Sequence, residues 1–419
     1  MGNDREATTQ LAYEAFFIAR QPIFNRAKNI YGYELLFRHS ATAIRAAIPD
    51  EEVASSKVLV DGFSIAANNI AGEKRFFVNF PRTMLVGEAA TTLPPERCVI
   101  EILERVPPDE MVLNSCRKLR EAGYLLALDD YAAQPVLEAF LSEVDLVKVD
   151  IRELPRDQWG VVLDRLRLNG VRALAEKVEQ WDEFQYLHEL GYDLFQGFFF
   201  SRPEIVQGRK LPSGLLAKVK LLKLLSNPAA NLEDIPEIVA SDPGLSLRLL
   251  RFINSAAFGL RSKINSIPHA VAMLGLQPIR RWAMIVIISD LDGSFKGVEL
   301  TYISLQRARF FELLSGLVGS APHGPQSMFM LGLLSKVDAM LGQPMGDVVG
   351  GLPLEPELLE ALCGNTSKGL EWLQMVETME RGNWHEASVI ISRWGVSGPL
   401  AAKSYLDAST WAGEKIWAL

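Results

Sequence analysis

The 419-residue sequence has few cysteines and no excess of positive charge. Its three cysteines, Cys98, Cys116 and Cys363, lie far apart and form no CxxC pair, so the sequence predicts neither a disulfide framework nor a zinc site. With 43 Lys and Arg against 51 Asp and Glu, the formal net charge is −8. An acidic chain has no overall field that attracts phosphate backbones, so bulk nucleic-acid binding is disfavoured.

Long hydrophobic runs are also absent. A membrane-spanning helix needs about 20 apolar residues, and the longest candidate run, residues 283–288, is too short. The first ten residues are polar and carry both signs of charge, which is not the pattern of a signal or transit peptide. We therefore expect a two-domain globular protein that is cytoplasmic and has no membrane partner.

The first half of the chain contains eight short runs rich in β-branched and aromatic residues, which predict strands. These runs are 16–24, 31–37, 75–80, 98–103, 125–130, 144–150, 173–178 and 194–201. From the third run on, segments with helical spacing, such as 109–121, 136–141, 159–168 and 180–190, separate them. Only residues 25–30 separate the first two runs, which is enough for a hairpin but not for a crossover helix. The pattern predicts a modified (β/α)8 barrel with an antiparallel first strand.

The second half of the chain predicts helices only, so the fold class is α/β plus all-α. We place an N-terminal tail at 1–13, the barrel domain at 14–207 and the helical domain at 208–419. One of the predicted helices runs without a break over residues 327–341. No low-complexity linker separates the domains, so we expect the helix that begins at Leu211 to couple them.

Almost every predicted barrel strand ends in a carboxylate. These ends carry Glu34, Asn79, Glu101, Glu104, Asp129, Asp130, Lys148, Asp150, Glu176 and Glu179. Barrels of this type place catalytic residues at the C-terminal ends of strands. A ring of acids repels itself unless cations lie in it, and oxygen ligands suit Mg²⁺, Mn²⁺ or Ca²⁺. Two such cations would support hydrolysis of a phosphodiester.

A simpler interpretation exists for each of these residues. A single acid at a strand end is most simply a solvated or capping residue, and Lys148 is most simply the salt-bridge partner of one acid. The agreement of six strand ends favours a shared site, in which Lys148 would orient a water or stabilise phosphoryl charge. A basic group in the helical half is more simply a solvated or partner-binding face than a nucleic-acid patch. Its members are Arg248, Arg251, Arg261, Lys263, Arg280 and Arg281.

The barrel half resembles the EAL domain of bacterial cyclic di-GMP phosphodiesterases over about residues 14–207. The matching segments, in the family's order, are QPI at 21–23, YELLFR at 33–38, VN at 78–79, EILE at 101–104, DDY at 129–131, KVD at 148–150, AEKVE at 175–179 and QGF at 196–198. The resemblance implies that one metal is held by Glu34, Asn79, Glu101 and Asp129, and that Asp130 bridges to a second. It further implies that Lys148, Glu176 and Glu179 are catalytic and that Gln21 and Arg38 contact the nucleotide.

The sequence departs from the family pattern near this rim. Leu35 and Leu103 replace a smaller alanine and threonine, and Lys177 replaces a glycine. The loop at 131–135 is short and contains proline but no glycine. We expect the stiff loop to impair closure, and Lys177 to lower the pKa of the neighbouring Glu176, which would make it a poorer base. Weak or absent hydrolysis is therefore predicted.

The helical half resembles the HDOD domain, a metal-free relative of HD phosphohydrolases, over about residues 211–340. The segments that carry this resemblance are 241–245, 248–256, 267–271 and 274–275. Where an HD enzyme has Gly-Leu-Leu-His-Asp, this chain has Gly-Leu-Leu-Ser-Lys at residues 332–336. Both metal ligands are replaced, so no metal is expected there.

Together the two resemblances predict a bacterial signalling protein. Its barrel would bind cyclic di-GMP with Mg²⁺ or Mn²⁺, or with Ca²⁺, and its helical domain would relay the bound state to a protein partner. An active phosphodiesterase and a ligand-free scaffold remain the alternatives. The sequence leaves open whether the chain forms a homodimer.

Overall fold

The computed structural model describes residues 16–39, 74–87, 93–202, 213–226, 235–240, 243–254, 264–319, 321–350, 352 and 354–418. Eight strands in the N-terminal half close into a barrel in chain order. They are β1 (Phe16–Asn25), β2 (Ile30–His39), β3 (Arg75–Phe80), β4 (Cys98–Ile102), β5 (Leu125–Tyr131), β6 (Leu146–Asp150), β7 (Arg172–Glu176) and β8 (Leu194–Gln196). The prediction of an eight-stranded barrel is confirmed.

The first strand runs against both of its neighbours. Strand β1 pairs antiparallel with β2 and with β8, while every other neighbouring pair in the barrel is parallel. A tight turn joins β1 to β2, in which the Asn25 side chain accepts hydrogen bonds from the backbone N–H groups of Ala27 and Asn29. The predicted hairpin and antiparallel first strand are therefore confirmed.

Side chains that alternate along the strands divide the barrel interior into two layers. An apolar cluster fills the lower layer. Its members are Ile23, Phe77, Val99, Ala127, Leu146, Leu174 and Leu194. Because successive side chains of a strand point to opposite faces, the residue two positions further along each parallel strand faces the same interior one layer higher. Those positions are Asn79, Glu101, Asp129, Lys148, Glu176 and Gln196. The apolar layer thus supports a polar layer at the C-terminal rim.

Four helices belong to the described part of the barrel half: α1 (Arg82–Val86), α2 (Glu110–Glu121), α3 (Gln158–Leu168) and α4 (Trp181–Leu190). The segment predicted as a helix at 136–141 is instead a 3₁₀ turn over Pro135–Phe140. The strand predicted at 194–201 ends at Gln196, because Gly197 adopts φ 143° and the carbonyl oxygen of Val178 would lie 2.1 Å from an added β-carbon. That glycine turns the chain out of the sheet.

Thirteen helices are described after residue 212. They are α5 (Ser213–Ser226), α6 (Ile235–Ala240), α7 (Pro243–Ile253), α8 (Ile267–Leu274), α9 (Leu276–Ser289), α10 (Phe295–Ser315), α11 (Pro325–Leu334), α12 (Val337–Leu341), α13 (Met345–Val349), α14 (Pro356–Leu362), α15 (Lys368–Glu380), α16 (Trp384–Arg393) and α17 (Gly398–Ala418). The prediction of one helix over 327–341 is wrong, because α11 ends before Ser335-Lys336 and α12 begins after it. The predicted domain boundary at 207/208 lies outside the described residues.

Among the described residues, no single helix combines the length and apolar character that a membrane span requires. The pair α8 and α9 meets both criteria only when the two helices are taken together, and they are bent by 115° at their junction.

Helix α10 forms the centre of the helical half and also contacts the barrel. Its Glu299 carboxylate lies 3.3 Å from Arg20 Nη2 and accepts a hydrogen bond of 3.0 Å from the Tyr33 hydroxyl. The Arg20 guanidinium also lies 3.5 Å from the ring centroid of Tyr302. All four side chains are largely buried, so this contact joins β1 and β2 to the helical half.

Gly332 allows a close approach of two helices in this core. A β-carbon at Gly332 on α11 would lie 2.4 Å from the backbone nitrogen of Ala308 on α10. We expect Gly332→Ala to force these helices apart and to lower the free energy of unfolding by about 1–3 kcal/mol. Urea unfolding measures the change. Gly346→Ala is the matched control, because an added β-carbon there meets no atom within 4 Å. Equal stability of the two variants would contradict the packing argument.

Candidate active site

Lys148 lies at the centre of the polar layer. Its buried ammonium group is within 2.7 Å of Glu101 Oε1, 2.8 Å of Asp129 Oδ1, 2.8 Å of Glu176 Oε1 and 3.3 Å of Glu34 Oε2. These acids come from four different strands, and each is buried. Lys148 therefore pairs with all four acids. The simplest interpretation of the sequence assigns it only one acidic partner.

Amide side chains complete the ring on the side of β2. Asn79 Nδ2 donates to Glu34 Oε1 at 3.1 Å, and Gln196 Nε2 donates to Glu34 Oε2 at 2.6 Å. Gln196 Nε2 also donates to Gln21 Oε1 at 2.9 Å. No role is predicted for Gln196 from the sequence. The signal was its position at the end of the last strand, two residues after a core leucine.

Several oxygen atoms of this ring are buried without a hydrogen-bond partner. They are Glu101 Oε2, Glu176 Oε2, Asn79 Oδ1 and Gln196 Oε1. A buried acceptor without a partner is costly, about 1–3 kcal/mol for each group. Carboxylate and amide oxygens are the ligands that hard divalent cations prefer. The donor set therefore fits a divalent cation of the Mg²⁺, Mn²⁺ or Ca²⁺ type.

Burial controls the proton affinity of the two deepest acids. Burial and the neighbouring Glu34 raise the pKa of Glu101 well above its usual range, against the opposing charge of Lys148. Burial likewise raises the pKa of Glu176 to about 8. The prediction that Lys177 lowers the pKa of Glu176 is wrong, because the Lys177 ammonium group pairs with other acids.

The acids that pair with Lys177 are Asp130 and Asp150. Lys177 Nζ lies 2.8 Å from Asp130 Oδ1 and also contacts Asp150 Oδ2. Asp130 belongs to a second group of acids, with Glu104 and Asp129, in which one carboxylate oxygen of each residue lies within 4.8 Å of the others. Asp129 thus belongs to both this second group and the ring around Lys148.

Two family models match this chain, and relatives match it over nearly its whole length. An EAL domain model matches residues 60–203, and an HDOD domain model matches residues 211–343. The chain is 34% identical over 402 residues to YuxH of Bacillus subtilis, covering 94% of this chain and 97% of that protein. The chain belongs to the EAL–HDOD proteins.

Two further similarities concern proteins with named ligands or activities. Over 401 residues the chain is 32% identical to the cyclic di-GMP phosphodiesterase CdgJ of Vibrio cholerae, covering 95% of this chain and 92% of that protein. The solved complex of Klebsiella pneumoniae BlrP1 with manganese and cyclic di-GMP is 25% identical, with a TM-score of 0.39, and covers 45% of this chain and 56% of that one.

Two further predicted residues of the EAL domain are Glu179 and Arg38. Glu179 follows β7, and its carboxylate oxygens lie 3.8 Å from Arg202 and 3.8 Å from Arg381, directly after α15 of the helical half. It makes no described contact with Lys148, so its predicted catalytic role stays a prediction. Arg38 is on β2, but its side chain lies outside the described residues.

The loop after β5 is held by its own side chains. Gln134 accepts a hydrogen bond from the backbone N–H of Ala132 at 2.7 Å and donates to the carbonyl oxygen of Asp130 at 3.0 Å. The Tyr131 hydroxyl donates to Glu138 at 2.9 Å. Pro135 then begins the 3₁₀ turn. These bonds connect the loop to the residues at its own base. They favour a single loop conformation over movement between an open and a closed state.

Two buried cations, Arg307 and Lys336, lie at the Ser335-Lys336 segment, which takes the place of the His-Asp pair of HD hydrolases in the sequence. Arg307 is buried and donates to both carboxylate oxygens of Glu380, at 2.7 and 2.6 Å. Lys336 Nζ lies 3.3 Å from Glu377 Oε1. Arg307 also donates to the Ser335 hydroxyl at 3.3 Å. Positive charge at this position opposes binding of a second cation there.

The central lysine provides a direct test of this electrostatic arrangement. We expect Lys148→Met to lower the free energy of unfolding by about 3–5 kcal/mol, because it leaves the buried acids without their shared counter-charge. Urea unfolding at neutral pH measures the loss. Lys118→Met, at an exposed position on α2, is the control and should change little. Unchanged stability of Lys148→Met would mean that the surrounding acids are neutral in the folded protein.

Proposed function

We propose that the EAL barrel binds cyclic di-GMP together with a divalent cation, turns it over slowly at most, and that the HDOD domain relays the bound state to a protein partner. The observation that carries the proposal is the ring of buried carboxylate and amide oxygens with unpartnered atoms at the C-terminal rim of the barrel. The similarity to CdgJ, whose name gives its substrate, supports the choice of cyclic di-GMP.

Four residues would hold the cation: Glu34, Asn79, Glu101 and Asp129. When bound, Mg²⁺ or Mn²⁺ would supply positive charge that polarises a phosphate oxygen. The anionic phosphates of the ligand need such a charge, because the acids around Lys148 outnumber its single ammonium group. Gln21 and Arg38 would contact the nucleotide, and the Gln196 amide fixes the side chain of Gln21.

Slow turnover is favoured by the surroundings of the ring. The loop after β5 is tied to its own base by Gln134, so it does not provide a flexible lid. Glu179 is shared between Arg202 and Arg381 at the domain contact. Lys148 and Glu176, which would position the attacking water, form an ion pair of 2.8 Å with each other. Binding therefore has more support than fast hydrolysis.

An active phosphodiesterase is the second candidate function. The complete set of strand-end acids and the similarity to CdgJ favour it. It requires the ligand, the water and the acids to be aligned closely, since small displacements cost large factors in rate.

The relay is supported by the position of the domain contact. Arg20 and Tyr33, which bind Glu299 of the HDOD domain, each precede a residue of the ring, Gln21 and Glu34. Neighbouring residues of a strand point to opposite faces, so β1 and β2 touch the ring on one face and α10 on the other. A shift of either strand upon binding would reach the HDOD domain without a loop between them.

Calorimetric titration with cyclic di-GMP tests the binding proposal. With Mg²⁺ present, we expect the full chain to bind, and Glu101→Gln to weaken binding by about tenfold or more, because a charged ligand to the cation is lost. Glu153→Gln, at an exposed position after β6, is the control and should bind like the parent chain.

Product analysis separates the candidate functions. Binding with little linear product is the expected result. Rapid Mg²⁺- or Mn²⁺-dependent conversion would favour the active phosphodiesterase. If neither metal nor nucleotide changes the thermal stability of the chain, the protein is a ligand-free scaffold, because a ligand that binds the folded state must stabilise it.

Hydrogen exchange tests the relay. We expect cyclic di-GMP to change exchange in residues 295–315 of the parent chain, and this change to be lost in Glu299→Gln, which removes the charge that pairs with Arg20. Glu312→Gln is the matched control on the same helix, because Glu312 pairs with Arg281 and Arg309 within the HDOD domain. A nucleotide effect of equal size in all three proteins would exclude this contact as the route.

A further inference from the structure

Lys177 binds two acids at the edge of the ring. Its ammonium group lies 2.8 Å from Asp130 Oδ1 and contacts Asp150 Oδ2. The side chain of Asp150 is only 4% exposed, and its second oxygen accepts a hydrogen bond of 2.8 Å from the backbone N–H of Arg152. Lys177 is thus the described counter-charge of a buried carboxylate, and this ion pair stabilises the position of its ammonium group.

The backbone at both ends of this contact is unusual. Lys177 has φ 58° and Asp130 has φ 44°, in the left-handed region that favours glycine. Arg152 Nε donates to the carbonyl oxygen of Lys177 at 3.1 Å and helps to hold this conformation. The family segment that residues 175–179 resemble has glycine at the position of Lys177, and glycine adopts this conformation without strain.

Asp130 is also part of the second group of acids. Its carboxylate lies close to those of Glu104 and Asp129, with one oxygen of each within 4.8 Å of the others. A cation at this group would share Asp130 with the ammonium group of Lys177. It would also be repelled by that positive charge at short range.

We propose that Lys177 is a built-in competitor for a second divalent cation at the rim. The first cation binds at Glu34, Asn79, Glu101 and Asp129, where Lys177 makes no described contact. The second binds only at higher concentration, because it must displace the Lys177 ammonium group from Asp130. That displacement is feasible because 49% of the Lys177 side chain is exposed. The inference rests on the proposed function in one respect, namely that the ring takes up a divalent cation.

Titration of the full chain with Mn²⁺ alone tests the proposal. Free Mn²⁺ is followed by electron paramagnetic resonance, so no catalytic activity is needed. We expect the parent chain to show one tight site and a second, much weaker one. In Lys177→Met the second site should tighten by about tenfold and the first should be unchanged. Methionine keeps the side-chain length and the β-carbon, so the change reports on charge. Lys118→Met controls for the loss of a surface lysine.

A double variant protects the test against unfolding. Lys177→Met leaves the buried Asp150 without the positive charge of Lys177. Combining Asp150→Asn with Lys177→Met removes both charges together. The double variant should also show the tightened second site. Equal Mn²⁺ isotherms for the parent chain and both variants would overturn the competition while leaving the first site intact. Absence of any Mn²⁺ binding in all of the proteins would instead overturn the proposed function, and with it this inference.

Discussion

The four acids around Lys148 impose the constraint on which the barrel depends. Carboxylates from four strands converge on one buried ammonium group, at distances of 2.7 to 3.3 Å. One positive charge cannot balance them all, and burial prevents water from screening the remainder. The ring can respond by holding protons, which agrees with the raised pKa values of Glu101 and Glu176, or by accepting a cation. Both responses make the rim sensitive to its ionic surroundings.

The need to hold these acids in place explains the layered interior of the barrel. The apolar cluster one layer below the ring excludes water and fixes the strands on which the acids stand. Each acid is therefore held by a barrel strand rather than by a loop. The polar side chains that complete the ring, Asn79, Gln196 and Gln21, are linked through Glu34 in one chain of hydrogen bonds. Loss of Glu34 would remove the acceptor that Asn79 and Gln196 share.

The order of the strands and the identity of the ring acids could be predicted from the sequence, because both follow from local signals. Alternating apolar runs mark the strands, and acids at their ends mark the rim. Four features could not be predicted this way, and the first three of them depend on contacts between residues distant in the chain. Lys177 pairs with Asp130 and Asp150, not with its neighbour Glu176. Gln196 joins the ring through Glu34, and Glu299 reaches the barrel across 266 positions of sequence. Ser335-Lys336 ends a helix that periodicity alone continues.

The alternation of residues along β1 and β2 also restricts how this protein can evolve. Arg20 and Gln21, and likewise Tyr33 and Glu34, are adjacent in the chain but serve different surfaces. An insertion or deletion of one residue in either strand would exchange the two surfaces, because it reverses which side chains face inward. Adaptation of the domain contact must therefore proceed by substitution at fixed strand length.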